Sequence, residues 1–190
     1  MVSKLISDRL IIRVLRPRDA AAVARFLREN REYHAPWEPI RPFSYYGRSR
    51  QRVNLRRIAR DSSQYQFGLT LRGQSRNVVG VISFSNIIHG PFRSCFLGYR
   101  MAQRYTGRGL MTEALEVTCR AMFAHLGLHR IEANIMPHNA PSLALVHKLG
   151  FRYEGRSTRY LMIQGRWEDH DRFALLAEDV WPRRGGKATS

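Results

Sequence analysis

Hydrophobic residues along the chain fall into short runs that predict strands, separated by stretches with the spacing of amphipathic helices. The predicted strands cover residues 9–15, 64–72, 77–87, 94–101 and 130–136, and two further strands joined at Gly165 fill the last third of the chain. The predicted helices begin near Pro17, Arg48, Leu110 and Ser142, and the last two end before Gly127 and Gly150. This order indicates a mixed α/β fold in a single domain, 1–182, followed by a flexible C-terminal tail, 183–190.

The segment YHAPWEPIRPFSYY (33–46) interrupts this pattern. It contains Pro36, Pro39 and Pro42, so it cannot form one regular helix or strand. The aromatic residues from Trp37 to Tyr46 either line a substrate groove or cover the core, and the sequence leaves both roles open.

A glycine-rich turn, RYTGRG (104–109), lies between a predicted strand and a predicted helix. Such turns place backbone amides and the positive end of a helix around phosphate groups. A P-loop requires Lys and Ser or Thr after its last glycine, but apolar residues follow here. A dinucleotide-binding turn requires a third glycine where this chain has Thr112. The turn instead matches the R/Q-x-x-G-x-G/A pattern of acyltransferases at Arg104, Gly107 and Gly109.

In this context the chain resembles the GNAT superfamily of N-acetyltransferases, and in particular its RimJ-like branch, which acetylates protein N-termini. The stretches that carry the resemblance are PWEP (36–39), GVISFSNI (80–87), GLMTEAL (109–115), MPHN (136–139), LGF (149–151) and GRWEDH (165–170). They extend over nearly the whole chain. The resemblance implies a GNAT fold, with a central twisted, mixed, mostly antiparallel sheet flanked by helices, and acetyl-coenzyme A as co-substrate.

The resemblance also implies how the chain would hold acetyl-coenzyme A. The backbone of Tyr99, Arg100 and Met101 would lie beside the pantetheine arm, as an added strand does. Amides and arginines of the turn would bind the pyrophosphate, where glycine lets the backbone approach closely. The residues assigned to this role are Arg104, Thr106, Gly107, Arg108, Gly109 and Leu110. Asn139 would contact the coenzyme, with a simple helix N-cap as its alternative role.

Direct attack of an amine on a thioester needs an acid for the departing thiolate and a base for the amine. Many GNAT enzymes use a tyrosine seven residues after the asparagine as the acid, but this chain has Val146 there. Relatives of the RimJ and RimL type use a serine three residues after the asparagine, which points to Ser142. Acids that act as base in some relatives do not carry over, because the matching positions are Asn134 and Leu161. The remaining candidates are Glu38, Asp169, His170 and a water held by Asn134.

The net charge of +17 arises from 32 basic and 15 acidic residues, and only three of the basic residues are lysine. Such a field attracts polyanions, including nucleic acid and phosphorylated cofactors. The predicted helix 48–61 contains Arg48, Arg50, Arg52, Arg56, Arg57 and Arg60, with Val53, Leu55, Ile58 and Ala59 as its predicted buried side. We hypothesise that Arg48–Arg60 docks to rRNA or another acidic surface, with a solvated arginine face as the alternative.

Three functions are compatible with these features. A RimJ-like acetyltransferase of protein N-termini, with a ribosomal protein as the favoured acceptor, fits best. A ribosome-assembly or RNA-binding protein on a GNAT scaffold is the second. A small-molecule amine acetyltransferase is the third, which the charge disfavours because cationic amines favour acidic pockets.

The remaining composition predicts the setting of the protein. No metal site is expected, since the histidines lack ligand partners at a recognised spacing. The isolated Cys95 and Cys119 suit a reducing compartment. Together with the lack of a long apolar run or signal peptide, they predict a cytoplasmic protein without membrane contact.

Overall fold

Eight strands form a sheet in this computed structural model, which describes residues 3–74 and 77–180. The strands are Lys4–Ile6 (β1), Leu10–Val14 (β2), Tyr65–Leu71 (β3), Gly80–Ile88 (β4), Ser94–Met101 (β5), Arg130–Ile135 (β6), Arg152–Ile163 (β7) and Arg166–Leu176 (β8). Their order in the sheet is β1-β2-β3-β4-β5-β6-β8-β7. All neighbours pair antiparallel except β5 and β6, which are parallel. The predicted mixed, mostly antiparallel sheet is confirmed, whereas the predicted tail, 183–190, lies outside the described residues.

Helices flank this sheet on both faces. They are Ala20–Glu29 (α1), Arg31–His34 (α2), Arg48–Ile58 (α3), Leu110–Leu126 (α4), Ala140–Lys148 (α5) and Ala177–Val180 (α6). Helix α4 has the predicted bounds and stops at Gly127, whose φ of 61° is a left-handed conformation that glycine adopts at little cost. Helix α5 begins two residues earlier than predicted, because Asn139 is its N-cap and Pro141 fits the first turn.

Besides the single turn α2, two short elements, β1 and α6, are absent from the sequence prediction. Neither is long enough to show a periodic hydrophobic pattern. Strand β1 exists because it pairs with β2, for example Leu5 with Ile12. Such elements depend on tertiary contacts that local sequence does not report.

The two faces of the sheet bury separate hydrophobic clusters, because neighbouring residues of a strand point to opposite sides. In β4, Ile82 and Phe84 belong to the larger cluster, whereas Val81 belongs to the smaller one. Residues of α4 and α5 cover the larger cluster, and residues of α1 and α3 cover the smaller one. We call the two sides the α4 face and the α1 face.

The buried side of α3 differs from the predicted one. Leu55 is fully buried as expected, but Val53 and Ala59 are exposed and Ile58 is only half-buried. Gln51 is buried instead, and its Nε2 donates to the Tyr45 carbonyl at 2.5 Å. The helix therefore packs through positions 51 and 55, one turn apart, and leaves its remaining sides to arginine.

The parallel strands β5 and β6 separate after their first residues. They pair only along Ser94–Phe96 and Arg130–Glu132. Beyond these pairs, β5 continues to Met101 and β6 to Ile135, each still paired with its outer neighbour. Backbone N–H and C=O groups of both strands therefore face a gap, where a ligand can complete their hydrogen bonds.

Candidate active site

A cleft of about 900 Å³ opens where β5 and β6 separate. Its lining includes these predicted site residues: Glu38, Tyr99, Arg100, Met101, Thr106, Gly107, Arg108, Gly109, Leu110, Asn134, Asn139 and Ser142. The fold thus brings distant positions into one cleft, while their individual roles stay predictions. Arg104 is outside this lining; its guanidinium lies 5.1 Å from the centre of the Tyr105 ring.

The glycine turn forms one end of the cleft and leads into α4. Gly107 and Gly109 have φ angles of 71° and 72°, which residues with a side chain rarely adopt. A Cβ on Gly107 would meet no atom of the described residues within 4 Å, so the space over it is open. Gly109 is the N-cap of α4, and no described side chain caps this helix. The first amides of α4 are therefore left to bind an anion at the positive end of the helix dipole.

Arg9 holds the glycine turn through contacts that the sequence does not indicate. Its guanidinium donates to Glu113 Oε2 at 2.7 Å and to the Arg108 carbonyl at 2.9 Å, and its backbone N–H donates to Glu113 Oε1 at 2.8 Å. Burial disfavours the charged form of Glu113, but hydrogen bonds from Ser7 and Arg9 outweigh it and lower its pKa. The resulting ion pair orients the Arg108 peptide within the turn.

Ser142 and Tyr99 form a short hydrogen bond in the cleft, on the α4 face. Their hydroxyl oxygens lie 2.5 Å apart, and either can be the donor. Asn139 Oδ1 accepts from the Ser142 backbone N–H at 3.3 Å, which places the serine in the first turn of α5. Burial raises the pKa of Tyr99 to about 12, with the hydrogen bond to Ser142 acting in the opposite direction. The tyrosine therefore stays protonated, a side-chain role that the sequence analysis missed.

Polar groups also line the cleft on the α1 face. Arg100 Nε lies 2.7 Å from Glu38 Oε1, so this candidate base is held in an ion pair. His34 is buried beside it, with Nε2 2.9 Å from the Met101 carbonyl. Burial lowers the pKa of His34, and because a carbonyl only accepts, its proton lies on Nε2. These contacts hold the C-terminal end of β5 against the segment that follows α1.

Asn134 presents a buried acceptor to the cleft. Its neighbours Ala133 and Ile135 belong to the cluster on the α4 face, so Asn134 points to the α1 face. Its Nδ2 donates to the Tyr160 hydroxyl at 3.2 Å. Its Oδ1 is buried without a hydrogen-bond partner among residues 3–74 and 77–180. Leaving such an acceptor unpaired costs about 1–3 kcal/mol, so this atom favours a water or a ligand N–H.

The aromatic residues of segment 33–46 divide between the two roles that the sequence left open. Tyr33 and Trp37 line the cleft. Tyr45 and Tyr46 pack against the smaller hydrophobic cluster, and Phe43 is 80% exposed. The prolines therefore separate a part that faces the cleft from a part that faces the core and solvent.

Gln164 connects this segment to the β7–β8 hairpin. From the hairpin turn, its Nε2 donates to the carbonyls of Ala35 and Glu38 at 3.0 and 2.9 Å. The turn uses positive φ angles at Gln164 and Gly165, as two-residue hairpin turns require. The glycine signals the turn in the sequence, but nothing local indicates the contact.

No three His, Cys, Asp or Glu side chains within the described ranges are grouped closely enough to hold a metal ion. None of the helices in those ranges has the length and apolar character needed to cross a membrane.

A sheet split between two parallel strands, with a glycine turn leading into a helix beside the split, defines a GNAT-type acetyltransferase. The chain belongs to this family, since the acetyltransferase (GNAT) domain family matches residues 9–152. It is 40% identical over 184 residues to the ribosomal protein uS5-alanine N-acetyltransferase of Escherichia coli, covering 95% of this chain and 94% of that one.

Solved structures show the same similarity. The ribosomal-protein-S5-alanine acetyltransferase from Vibrio fischeri has a TM-score of 0.88 at 30% identity, covering 94% of this chain and 98% of that one. Mycobacterium smegmatis RimJ, in complex with coenzyme A disulfide, has a TM-score of 0.82 at 35% identity, covering 90% and 83%. The predicted family and fold are confirmed.

Proposed function

We propose that this chain transfers an acetyl group from acetyl-coenzyme A to the N-terminal α-amine of a protein, with a ribosomal protein as the favoured acceptor. The observation that carries the proposal is the Tyr99–Ser142 hydroxyl pair, which lies in the same cleft as the glycine turn. The relatives support the acceptor class, because the Escherichia coli and Vibrio fischeri proteins are both named for an alanine of ribosomal protein S5.

The cleft fits coenzyme A on three observations. The open space over Gly107 and the uncapped start of α4 suit a pyrophosphate. The part of β5 that is not paired with β6, around Tyr99 and Arg100, suits the amide groups of a pantetheine arm, while the Met101 carbonyl is already bound to His34. Acetylated coenzyme A supplies a thioester whose carbonyl carbon an amine can attack.

Ser142 acts as the general acid in this proposal. Its hydroxyl stabilises the charge that develops on sulfur and gives a proton to it. The two hydroxyl oxygens lie 2.5 Å apart, and we assign Tyr99 as the donor of this pair, which leaves the serine hydrogen free for the sulfur. The asparagine cap keeps Ser142 in this position at the start of α5.

The ionisation of the acceptor favours an α-amine over a lysine. A free α-amine titrates near 8 and a lysine near 10.4, so forming the neutral amine at pH 7 costs about 1 and about 4.6 kcal/mol respectively. Among the described residues that line the cleft, Glu38 is the only acidic side chain, and it is paired with Arg100. A site without a free carboxylate base suits the amine that is easier to deprotonate.

The test measures transfer of labelled acetyl groups to a panel of acceptors. The panel contains four acceptors. Two are peptides with the N-terminal sequence of the host ribosomal protein uS5, one with a free N-terminus and one with a blocked N-terminus and an internal lysine. The other two are spermidine and an aminoglycoside. We expect efficient transfer only to the free N-terminus. Comparable kcat/KM for the blocked peptide or spermidine would overturn the proposed acceptor class.

A second proposal concerns the exposed arginines of α3. Arg57 pairs with Asp61 at 3.8 Å. Within the part of the chain that the structure describes, the other five have no acidic partner: Arg48, Arg50, Arg52, Arg56 and Arg60. Phe43, 80% exposed, lies in the turn that leads into this helix. We propose that this surface contacts phosphates of rRNA, with Phe43 free to stack on a base.

Charge reversal tests the RNA proposal. Arg50→Glu with Arg56→Glu changes two arginines that have no acidic partner among the described residues, and Lys4→Glu with Arg93→Glu makes the same charge change elsewhere on the surface. We expect the first pair to weaken binding to small ribosomal subunits and flatten its salt dependence, and the second to have a small effect. Acetylation of a free peptide should not change. If neither pair alters subunit binding, the RNA proposal fails and the acetyltransferase proposal stands without it.

A further inference from the structure

We infer that His170 is the general base of this reaction, holding at Nε2 the proton that the acceptor amine loses, while Asn134 positions the amine. The inference rests on the proposed function. It assigns the group on the acceptor side that the sequence left open among several candidates.

The proposed acid, Ser142, and the proposed base, His170, lie on opposite faces of the sheet. In β8, Phe173 and Leu175 belong to the cluster on the α4 face, so His170 points to the α1 face. Asn134 of β6 points to the same face. Ser142 belongs to α5, which covers the α4 face. An amine that attacks from the α1 face therefore meets His170, and the sulfur departs toward Ser142.

His170 has the tautomer that a base facing the cleft requires. Its Nδ1 lies 3.1 Å from the Glu168 carbonyl, and because a carbonyl only accepts, the proton lies on Nδ1 and Nε2 keeps its lone pair. The side chain is 5% exposed yet lines the cleft. Burial lowers its pKa, outweighing Glu168, Asp169 and Asp171, which raise it. Asp171 is itself paired with Arg156 at 2.7 Å.

The other candidates for the base are engaged elsewhere. Glu38 is also on the α1 face, but it is paired with Arg100. Asp169 Oδ1 accepts from the Arg159 backbone N–H at 2.8 Å, and Asp169 does not line the cleft. The remaining charged groups of the lining are Arg108 and Lys148, from the glycine turn and α5. None of these groups is a free base. The other histidine of the lining, His34, is held by its Nε2–H on the Met101 carbonyl at the end of β5.

Tyr160 contacts both His170 and Asn134. Its ring lies 5.2 Å from the His170 ring, and its hydroxyl accepts from Asn134 Nδ2 at 3.2 Å. Asn134 Oδ1 is left without a partner in the described ranges. In this inference the acceptor amine donates one hydrogen to Asn134 Oδ1, and its second hydrogen faces His170 Nε2.

The step balances without a further reactant. The amine nitrogen bonds to the acetyl carbonyl carbon, and the carbon–sulfur bond breaks. His170 Nε2 holds the proton that the nitrogen loses, and Ser142 gives a proton to the sulfur. Return of the His170 proton to solvent and reprotonation of Ser142 restore the starting state.

The first measurement requires no variant. Nuclear magnetic resonance of the ¹⁵N-histidine-labelled protein should show His170 as the Nδ1–H tautomer, neutral at pH 7 and titrating below about 6.5. An Nε2–H tautomer, or a charged His170 at pH 7, would overturn the inference. This readout is independent of any acetyl transfer, so it stands even if the proposed acceptor is wrong.

The second measurement compares pH profiles of transfer to the uS5-type peptide. His170→Gln should lower kcat by about 10²- to 10⁴-fold while coenzyme A affinity, measured by calorimetry, is retained. In the wild-type profile, protonation of His170 should lower the activity at low pH. In His170→Gln this decrease should be absent, and only the decrease caused by protonation of the acceptor amine should remain. His125→Gln, at an exposed position on α4, is the matched control and should behave as wild type.

The outcomes separate the two proposals. A wild-type protein that acetylates no peptide refutes the proposed function, whatever the tautomer of His170. A His170→Gln protein that binds coenzyme A and keeps wild-type kcat refutes the base assignment alone. If this variant does not fold, the pH profile of the wild-type protein decides. Its activity must decrease at low pH with an inflection at the pKa of His170 measured by nuclear magnetic resonance. A profile without that inflection refutes the assignment.

Discussion

Comparing Gly107→Ala with Gly90→Ala separates two effects of adding a side chain: the loss of stability from a left-handed backbone and the loss of coenzyme A binding. Gly107 and Gly90 have φ angles of 71° and 74°, and a Cβ on either meets no described atom within 4 Å. Gly107 lines the cleft, whereas Gly90 lies in the β4–β5 turn. The pair is therefore matched in strain and in free space, and differs in location.

The magnitudes follow from the backbone geometry. A residue with a side chain in the left-handed region costs about 1–2 kcal/mol, and the lower entropy of the unfolded chain returns about 0.4–1 kcal/mol. Each variant should therefore lose about 1 kcal/mol of stability, which lowers the Tm by about 2–4 °C. In Gly107→Ala the new Cβ also occupies the open space over the turn, where we propose that a phosphate binds, and it should displace that phosphate from an amide. Loss of one charge-assisted hydrogen bond, about 1.5–3 kcal/mol, weakens binding by about 10- to 150-fold.

Calorimetric titration with coenzyme A and thermal unfolding of both variants provide the assay. We expect equal loss of Tm, and weaker coenzyme A binding in Gly107→Ala only. If Gly107→Ala binds coenzyme A as tightly as Gly90→Ala, the phosphates do not lie over this turn and the reasoning about the cleft is wrong. A much larger loss of Tm in Gly107→Ala would show that the turn carries structural contacts beyond those described.

Three further predictions address other parts of the molecule. Ser142→Ala should lower kcat by about 10²- to 10⁴-fold, and Tyr99→Phe by about tenfold, with coenzyme A affinity unchanged in both by calorimetry. Arg9→Ala should weaken coenzyme A binding about tenfold, because the Arg108 peptide loses its brace, and unchanged affinity would argue against that brace. Burial opposes ionisation of Asp19, but hydrogen bonds from the Arg13 guanidinium at 2.7 Å and from the Arg16 backbone N–H at 2.8 Å outweigh this and lower its pKa. The stability that this carboxylate adds is therefore present above about pH 4 and is lost at lower pH. Asp19→Asn should therefore cost about 1–3 kcal/mol in urea unfolding at pH 7 and little near pH 2, and a cost independent of pH would contradict this.

Much of the local structure is determined by the sequence alone. The bounds of β5 and α4 agree with the prediction, because strand runs and glycine stop signals act through residues adjacent in the chain. The family motifs likewise identify the glycine turn, and Asn139 caps α5 where a helix start was expected. These features need no knowledge of distant contacts.

The tertiary structure decided how these elements meet. Arg9 contacts Glu113 across 104 positions, and Tyr99 contacts Ser142 across 43. No local pattern encodes such pairs, because they depend on the order of strands in the sheet. The buried side of α3 also depends on its packing against α1, which selects Gln51 over Val53.

The separation of β5 from β6 is the most consequential of these decisions. Sequence predicts both strands, but only their partial pairing opens the cleft between them. The alternation of each strand then sends Tyr99 to one face and Asn134 to the other. The proposed acid and the proposed base lie on opposite faces because the sheet is open at this point, and that opening is a property of the whole fold.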